Sequence, residues 1–130
     1  MGDTEFQRPF KRLCGEQSVG EAGDERVSGA DAVKVENPIG GDHGRLASTD
    51  IPGVVSYYFM MLNANKRSVT CNLKSEQGKE ILRKLIVEAD VFIENYAPGA
   101  IERLGFGYDE VRQINPAIIY AQIKGFGEGS

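Results

Sequence analysis

The chain has 130 residues, about one domain's worth of sequence, and its 41% hydrophobic and 26% charged residues are typical of a globular rather than a disordered protein. Its net charge of −4 and isoelectric point near 5.0 argue against a protein that coats nucleic acid, since such proteins carry a strong basic excess. The apolar runs are too short to span a bilayer, and neither a signal peptide nor a paired-cysteine motif is visible. We therefore expect a soluble, cytoplasmic protein with free thiols at Cys14 and Cys71, and neither nucleic acid nor a membrane as a partner.

The ranges 1–28 and 29–130 differ in pattern. In the first range, apolar residues are scattered among glycines and charged residues and follow neither the period of a strand nor that of a helix. Such a composition buries too little apolar surface to offset the entropy of the chain. The first range is therefore predicted to be a divergent, loosely ordered leader and the second a folded domain.

Short strands flank an ambiguous segment in the next part of the chain. The β-branched run at residues 32–35 predicts a strand that ends before Pro38, and residues 68–73 predict another. Between them, residues 56–62 (SYYFMML) form an apolar segment that fits either a helix or a strand.

The second half of the chain alternates helix and strand. Ser75 is the expected N-cap of an amphipathic helix, because its hydroxyl can accept a hydrogen bond from an early backbone N–H. The apolar positions of that helix recur at helical spacing: Ile81, Leu82, Leu85, Ile86 and Ala89. The later elements are a strand at 91–93, short helices at 98–104 and 109–114, and a last strand at 118–123. This alternation predicts an α/β fold with a parallel sheet and right-handed crossovers.

Several cations stand at the predicted ends of these elements, where the carboxyl ends of parallel strands form a crevice. They are Lys34, Arg45, Lys66, Arg67, Lys74, Arg103 and Lys124. Together they could form a positive pocket for a phosphate group, or each could be an ordinary surface cation. The spacing leaves both interpretations open.

Other groups that could carry chemistry are isolated. Gly125, Gly127 and Gly129 depart from the dinucleotide-binding spacing and are interpreted as a turn. His43 has no second histidine or nearby cysteine with which to share a metal, so we expect a loop histidine and no metal site. The acidic residues near the predicted element ends are expected at the surface, as most carboxylates are: Glu36, Asp42, Glu94 and Glu102.

Several segments follow one another in a specific order. They are GADAVKVE at 29–36, LNANKRSVTCNLK at 62–74, ADVFIENYAPG at 89–99, and a final stretch at 103–127 that contains RLGFGY, NP, IIY and GFG. In this order they resemble the N-terminal part of the class III CoA-transferases, the CaiB–BaiF type that includes formyl-CoA:oxalate CoA-transferase. The resemblance covers about residues 29–130. It implies a partial, Rossmann-like CoA-binding domain built on a parallel sheet.

The resemblance also implies a ligand and a chemistry. Members of that family use a CoA thioester and a small carboxylic acid as substrates, hold no permanent cofactor, and form interlocked homodimers. They transfer CoA between acids through an aspartyl anhydride and an aspartyl-CoA thioester, which is a form of covalent catalysis. Carried over to this sequence, the family's CoA contacts fall on Cys71, Asn72, Leu73 and Lys74, on Asn95, Tyr96 and Ala97, and on Arg103. At Asn37, many relatives carry an arginine.

Two departures from the family pattern are visible. Family members open with a strand, an Ala-Gly-Pro turn and a helix, and residues 1–28 show none of these. The family's catalytic aspartate lies a few tens of residues beyond the glycine loop, and no aspartate of this chain stands there. We therefore expect no catalytic residue within the chain and no activity from the chain alone. There are two alternatives. One is an α-methylacyl-CoA racemase on the same scaffold, which would use acid–base residues. The other is a non-catalytic CoA-binding or interaction module.

Overall fold

A computed structural model describes residues 11–14, 30–47, 51, 53–64 and 66–125 of the chain. The strands are β1 (Lys11–Cys14), β2 (Asp31–Glu36), β3 (Lys66–Thr70), β4 (Val91–Glu94) and β5 (Ile119–Gln122). The α-helices are α1 (Tyr57–Asn63), α2 (Glu76–Glu88), α3 (Ala100–Arg103) and α4 (Tyr108–Ile114), and a 3-10 turn covers His43–Arg45. Among these described helices, none has the length and apolar character needed to cross a bilayer.

The five strands form one sheet in the order β3-β2-β1-β4-β5, and every neighbouring pair is parallel. From β1 the chain builds outward to β2 and β3 on one side, then returns to β4 and β5 on the other. This reversal of direction between β1 and β4 is the point at which open α/β sheets usually bind their ligands. The predicted α/β fold with a parallel sheet is confirmed.

The central strand lies inside the range predicted to be a leader. Lys11–Cys14 forms β1, which pairs with β2 through Arg12 and Ala32 and with β4 through Leu13 and Phe92. The prediction that this range contains no strand is therefore wrong for these four residues. A strand this short is specified by the partners on its two sides, and local periodicity does not report them. The remainder of the leader lies outside the described residues, and its boundary stays a prediction.

The ambiguous apolar segment is a helix. Ser56 caps α1, and its Oγ accepts a hydrogen bond from the Phe59 backbone N–H at 3.0 Å. The residues of α1 bury little of their surface, since only Phe59, Leu62 and Asn63 are partly buried. The Asn63 Oδ1 accepts a hydrogen bond from the Lys34 Nζ of β2 at 3.2 Å. Local hydrogen bonding at the cap, rather than periodicity, therefore distinguishes this helix from a strand.

The amphipathic helix begins at the predicted cap. The Ser75 Oγ accepts a hydrogen bond from the Gly78 N–H at 3.1 Å. Leu82 and Ile86 are buried, whereas Ile81 is 43% exposed although it was predicted on the apolar side. The sheet therefore covers a narrower stripe of α2 than the sequence pattern indicates.

The main apolar core lies between α2, α4 and the β4–β5 side of the sheet. Its members include Leu82, Ile86, Phe92, Ile101, Phe106, Val111 and Ile118. The Asn115 side chain closes this unit, because its Nδ2 donates to the carbonyl oxygens of Ile86 at 3.0 Å and Ala89 at 2.9 Å. The end of α4 is thereby tied to the end of α2, which fixes where β4 begins.

Candidate functional site

An open cleft of about 150 Å³ lies at the carboxyl ends of β2, β3 and β4. This carboxyl-end cleft is lined by Val35, Glu36, Asn37, Cys71, Leu73, Lys74, Tyr96 and Leu104. Its walls combine aliphatic side chains with a cation and an amide. That combination suits a ligand with an apolar arm and negatively charged groups.

A second cleft of about 160 Å³ lies between α2 and the sheet. Its charged groups are already paired: Lys11 Nζ lies 2.7 Å from Glu88, and Arg67 lies 2.6 Å from Asp31. The carboxyl-end cleft is the better candidate, because it lies where parallel sheets present their loops.

The first wall of the carboxyl-end cleft is the β3 turn, residues 71–75. The Cys71 N–H donates to the Glu36 carbonyl oxygen at 2.9 Å, which continues the pairing of β2 and β3 by one residue. Asn72 then folds the turn, since its Oδ1 accepts from the Lys74 N–H at 3.1 Å and its carbonyl oxygen accepts from the Ser75 Oγ at 2.9 Å. Burial raises the pKa of the Cys71 thiol, so this group stays protonated and serves as a wall rather than a nucleophile.

Close packing holds the β3 turn against α2. Gly78 is buried in the first turn of α2, and a Cβ atom built there would overlap the backbone carbonyl of Asn72. Only glycine allows this approach of helix and turn. The position of the β3 turn therefore depends on Gly78 as well as on the cap at Ser75.

The second wall is the β4 turn, residues 94–97, and a buried ion pair holds it. The Glu94 side chain is 0% exposed, and its Oε1 lies 2.7 Å from the Lys124 Nζ. Its Oε2 accepts a hydrogen bond from the Tyr96 N–H at 2.7 Å, while the Lys124 Nζ also donates to the Tyr96 carbonyl oxygen at 2.8 Å. The expectation that Glu94 lies at the surface is wrong. A local pattern does not show the cation that folding brings to Glu94 from two residues beyond β5.

The third wall, at the end of β2, also contains a buried carboxylate. Glu36 is 2% exposed, and it accepts hydrogen bonds from Arg45 Nε and Nη2, the Asp42 N–H and Ser68 Oγ, all at 2.8–2.9 Å. Burial raises the pKa of Glu36, but the hydrogen bonds from Arg45 and Ser68 and the charges of Arg45 and Lys34 outweigh burial and lower it overall. Glu36 is therefore a buried anion, not the surface residue expected.

Asp42 is buried beside Glu36. Its carboxylate pairs with Lys34, which is itself 2% exposed, and its Oδ1 accepts from the Gly44 N–H at 2.6 Å. Of the acidic residues expected at the surface, Glu102 is exposed, whereas Asp42, like Glu36 and Glu94, is not. The 3-10 turn that carries His43 and Arg45 supplies the hydrogen bonds that make this burial tolerable. His43 itself is exposed, and no metal-binding cluster is found among the described residues.

The cations at the element ends do not form one positive pocket. Lys34, Arg45, Arg67 and Lys124 each pair with a carboxylate, and Lys66 donates to the Leu62 carbonyl oxygen. Lys74 and Arg103 differ: both are exposed, and no carboxylate of the described residues lies within 4.0 Å of either. These two cations remain available to an anionic ligand.

Comparison with known proteins identifies the family. The family model described as CoA-transferase family III matches residues 28–130. The chain belongs to CoA-transferase family III. The predicted resemblance is therefore confirmed.

Curated relatives share this part of the chain at high identity. The formyl-CoA:oxalate CoA-transferase of Streptomyces coelicolor is 59% identical over 101 residues, which are 78% of this chain and 24% of that protein. The enzyme of the same name from Bradyrhizobium diazoefficiens is 52% identical over 101 residues, with the same coverage of 78% and 24%. The chain thus spans about a quarter of the length of the curated relatives it matches.

Solved structures support the same family. A CAIB/BAIF family protein from Brucella suis has a TM-score of 0.81 and 35% identity, covering 93% of this chain and 34% of that one. A hypothetical protein from Mycobacterium tuberculosis has a TM-score of 0.79 and 35% identity, covering 93% and 33%. Each of these structures therefore shares the fold of most of this chain.

The CoA-contact residues predicted from the family resemblance are only partly brought together. Cys71, Leu73, Lys74 and Tyr96 line the carboxyl-end cleft. The others lie beside it in sequence and do not line it: Asn72, Asn95, Ala97 and Arg103. Assignment of all of them to CoA stays a prediction.

Two of the strands end in a buried glutamate, which was not predicted from the sequence. Glu36 is the last residue of β2 and Glu94 the last residue of β4, and each holds a wall of the carboxyl-end cleft. A glutamate that closes an apolar strand was the available signal. Leu104, which lines the cleft after α3, gave no signal in the sequence beyond being apolar.

Proposed function

We propose that this chain supplies the CoA-binding part of a CoA-transferase that moves CoA between carboxylic acids through an aspartyl-CoA intermediate. The observation that carries the proposal is the carboxyl-end cleft, which gathers Cys71, Leu73, Lys74 and Tyr96 in a member of CoA-transferase family III. The names of the curated relatives favour formyl-CoA and oxalate as substrates, and favour a transferase over a racemase. Location in the cytoplasm and assembly as an interlocked homodimer belong to the same proposal.

The chemistry of the cleft fits CoA in two respects. CoA has phosphate groups and a pantetheine arm, so its site needs cations beside an apolar surface. Lys74 in the cleft and Arg103 on α3 would donate charge-assisted hydrogen bonds to phosphate oxygens. Val35, Leu73 and Leu104 would contact the arm.

The positions of the described aspartates favour a binding role, and not a catalytic one, for this part of the chain. Asp31 pairs with Arg67, Asp42 pairs with Lys34, and the Asp90 carboxylate accepts from the Lys11 N–H at 2.8 Å. Asp109 lies in the first turn of α4. Because none of these lines the carboxyl-end cleft, we propose that the nucleophilic carboxylate belongs to another part of the enzyme.

Isothermal titration of the purified chain with CoA tests the proposal. We expect saturable binding that is weaker at moderate than at low salt, since phosphate contacts are screened. Lys74→Ala and Arg103→Ala should each weaken binding about tenfold, as expected for a charge-assisted hydrogen bond worth about 1.4 kcal/mol.

Lys84→Ala is the matched control, because Lys84 is an exposed lysine on α2 whose Nζ lies 4.0 Å from Glu80. It should bind CoA as the unaltered chain does. Absence of saturable binding, or equal affinity of all three variants, would contradict the proposal.

A further inference from the structure

We propose that Lys124 is a positioning residue for CoA binding, which acts by fixing the β4 turn through Glu94 and not by contacting the ligand. The inference rests on the proposed CoA-binding function. Lys124 would then support the cleft wall, although from the sequence it was a candidate phosphate-binding cation.

One ion pair holds both polar atoms of the Tyr96 backbone. Glu94 Oε2 accepts from the Tyr96 N–H at 2.7 Å, and Lys124 Nζ donates to the Tyr96 carbonyl oxygen at 2.8 Å. The two side chains meet at 2.7 Å, so they form a closed ring of hydrogen bonds around one residue. Hydrogen bonds between ionised groups are short and strong, and this ring therefore defines the path of the β4 turn.

Burial keeps Lys124 committed to this pair. The Glu94 side chain is 0% exposed and that of Lys124 is 23% exposed. A buried carboxylate is strongly destabilised when its cation leaves, so Lys124 is held where it is. The backbone enforces the same arrangement, since the Ile123 N–H donates to the Glu94 carbonyl oxygen at 2.9 Å.

The pair acts on the ligand through the cleft wall. Tyr96 lines the carboxyl-end cleft together with Leu73 and Lys74, whereas Lys124 does not line it. A site binds more tightly when its contacts are held in place before the ligand arrives, because less ordering accompanies binding. Loss of the pair should therefore weaken CoA binding without removing any contact to CoA.

The test compares the full chain with the double variant Glu94→Gln/Lys124→Met. The glutamine keeps an acceptor for the Tyr96 N–H, and the double substitution leaves no unpaired charge in the interior. Lys84→Met is the control for loss of a lysine charge, since Lys84 is exposed on α2. Amide hydrogen exchange and titration with CoA are measured on all three proteins.

In the double variant, we expect exchange at Asn95, Tyr96 and Ala97 to become about tenfold faster, while the amides of Leu82 and Ile86 in α2 keep their rates. CoA affinity should fall about tenfold, by the same factor at low and moderate salt, because no phosphate contact has been lost. The Lys84→Met control should match the unaltered chain in both measurements.

Two results would overturn the inference. One is unchanged exchange in the β4 turn of the double variant. The other is an affinity loss that appears at low salt and largely disappears at moderate salt, which would make Lys124 a direct phosphate contact. If the unaltered chain does not bind CoA, the proposed function is contradicted instead, and the exchange rates still decide whether Lys124 fixes the turn.

Discussion

The β3 turn and the β4 turn face the same cleft, yet different forces hold them. Asn72 and Ser75 make hydrogen bonds to groups two or three residues away, and Gly78 lets α2 pack directly on the β3 turn. In the β4 turn, Glu94 depends on Lys124, which lies 30 residues further along the chain. The first arrangement is neutral and local, whereas the second is ionic and exists only in the folded sheet.

The end of β2 repeats the ionic arrangement. Glu36, like Glu94, is a buried glutamate at the last position of its strand, and Arg45 takes the place that Lys124 has in the β4 turn. Buried ion pairs add little net stability but are costly to break, because the remaining charge has no partner. The contrast teaches that the cleft has one wall sensitive to packing and two walls sensitive to charge.

The largest effect is expected from Gly78→Ala, which disrupts the packing of α2 on the β3 turn. The added Cβ would overlap the carbonyl of Asn72, so α2 or the β3 turn must shift. We expect the free energy of unfolding to fall by about 3 kcal/mol, the upper range for overpacking, as measured by urea denaturation. Gly125→Ala is the matched control, since no atom of the described residues lies within 4 Å of a Cβ there, and it should be near neutral. Equal stability of the two variants would show that the turn accommodates the methyl group.

A smaller effect, of about 2 kcal/mol at neutral pH, is expected from Glu36→Gln. Arg45, Ser68 and the Asp42 N–H all donate to Glu36. The glutamine amide would place its own N–H donors against at least one of these donors. Because the pKa of Glu36 is lowered in the folded protein, its stabilising contribution is fully present above its ordinary value of 4.5 and is lost as the pH falls through the folded pKa.

Urea denaturation of the unaltered chain and Glu36→Gln between pH 7 and pH 3 measures this contribution as a difference. That difference should be constant down to about pH 4.5 and shrink below it. Glu80→Gln, on the exposed face of α2, should show little difference at any pH. A difference that grows toward low pH would mean that Glu36 is protonated in the native state.

The smallest effect is expected from Ser75→Ala, which removes the side-chain hydrogen bonds of Ser75 in the β3 turn. The hydroxyl caps α2 at Gly78 and donates to the Asn72 carbonyl oxygen, so its loss should lower the free energy of unfolding by about 1 kcal/mol. Thermal denaturation of Ser75→Ala and Ser75→Thr tests this, because threonine keeps the hydroxyl. Identical melting temperatures for the two variants would argue that the cap contributes nothing.

The features that the sequence predicted correctly are those with local causes. The cap at Ser75 and the buried stripe of Leu82 and Ile86 arise from residues a turn apart, so the pattern contains them. The parallel α/β fold followed from the alternation of such elements. The helix at 57–63 could have been predicted in the same way, since Ser56 stands directly before the apolar run.

The features that the sequence did not predict depend on partners far along the chain. Lys11–Cys14 is a strand because β2 and β4 lie on its two sides, and nothing in its own residues shows them. Glu36 and Glu94 are buried because folding brings Arg45 and Lys124 to them. The turns of the candidate site were predicted only from the family resemblance. The structure then distinguishes Lys74, which lines the cleft, from Lys124, which supports its wall.

The distance in sequence between Glu94 and Lys124 also has a consequence for synthesis. A ribosome adds about 5–20 residues per second. Because 30 residues separate the pair, Lys124 is added roughly 2–6 s after Glu94. Until then the carboxylate has no cation and stays in water. The wall of the cleft that contains Tyr96 is therefore completed only once β5 has left the ribosome and joined the sheet.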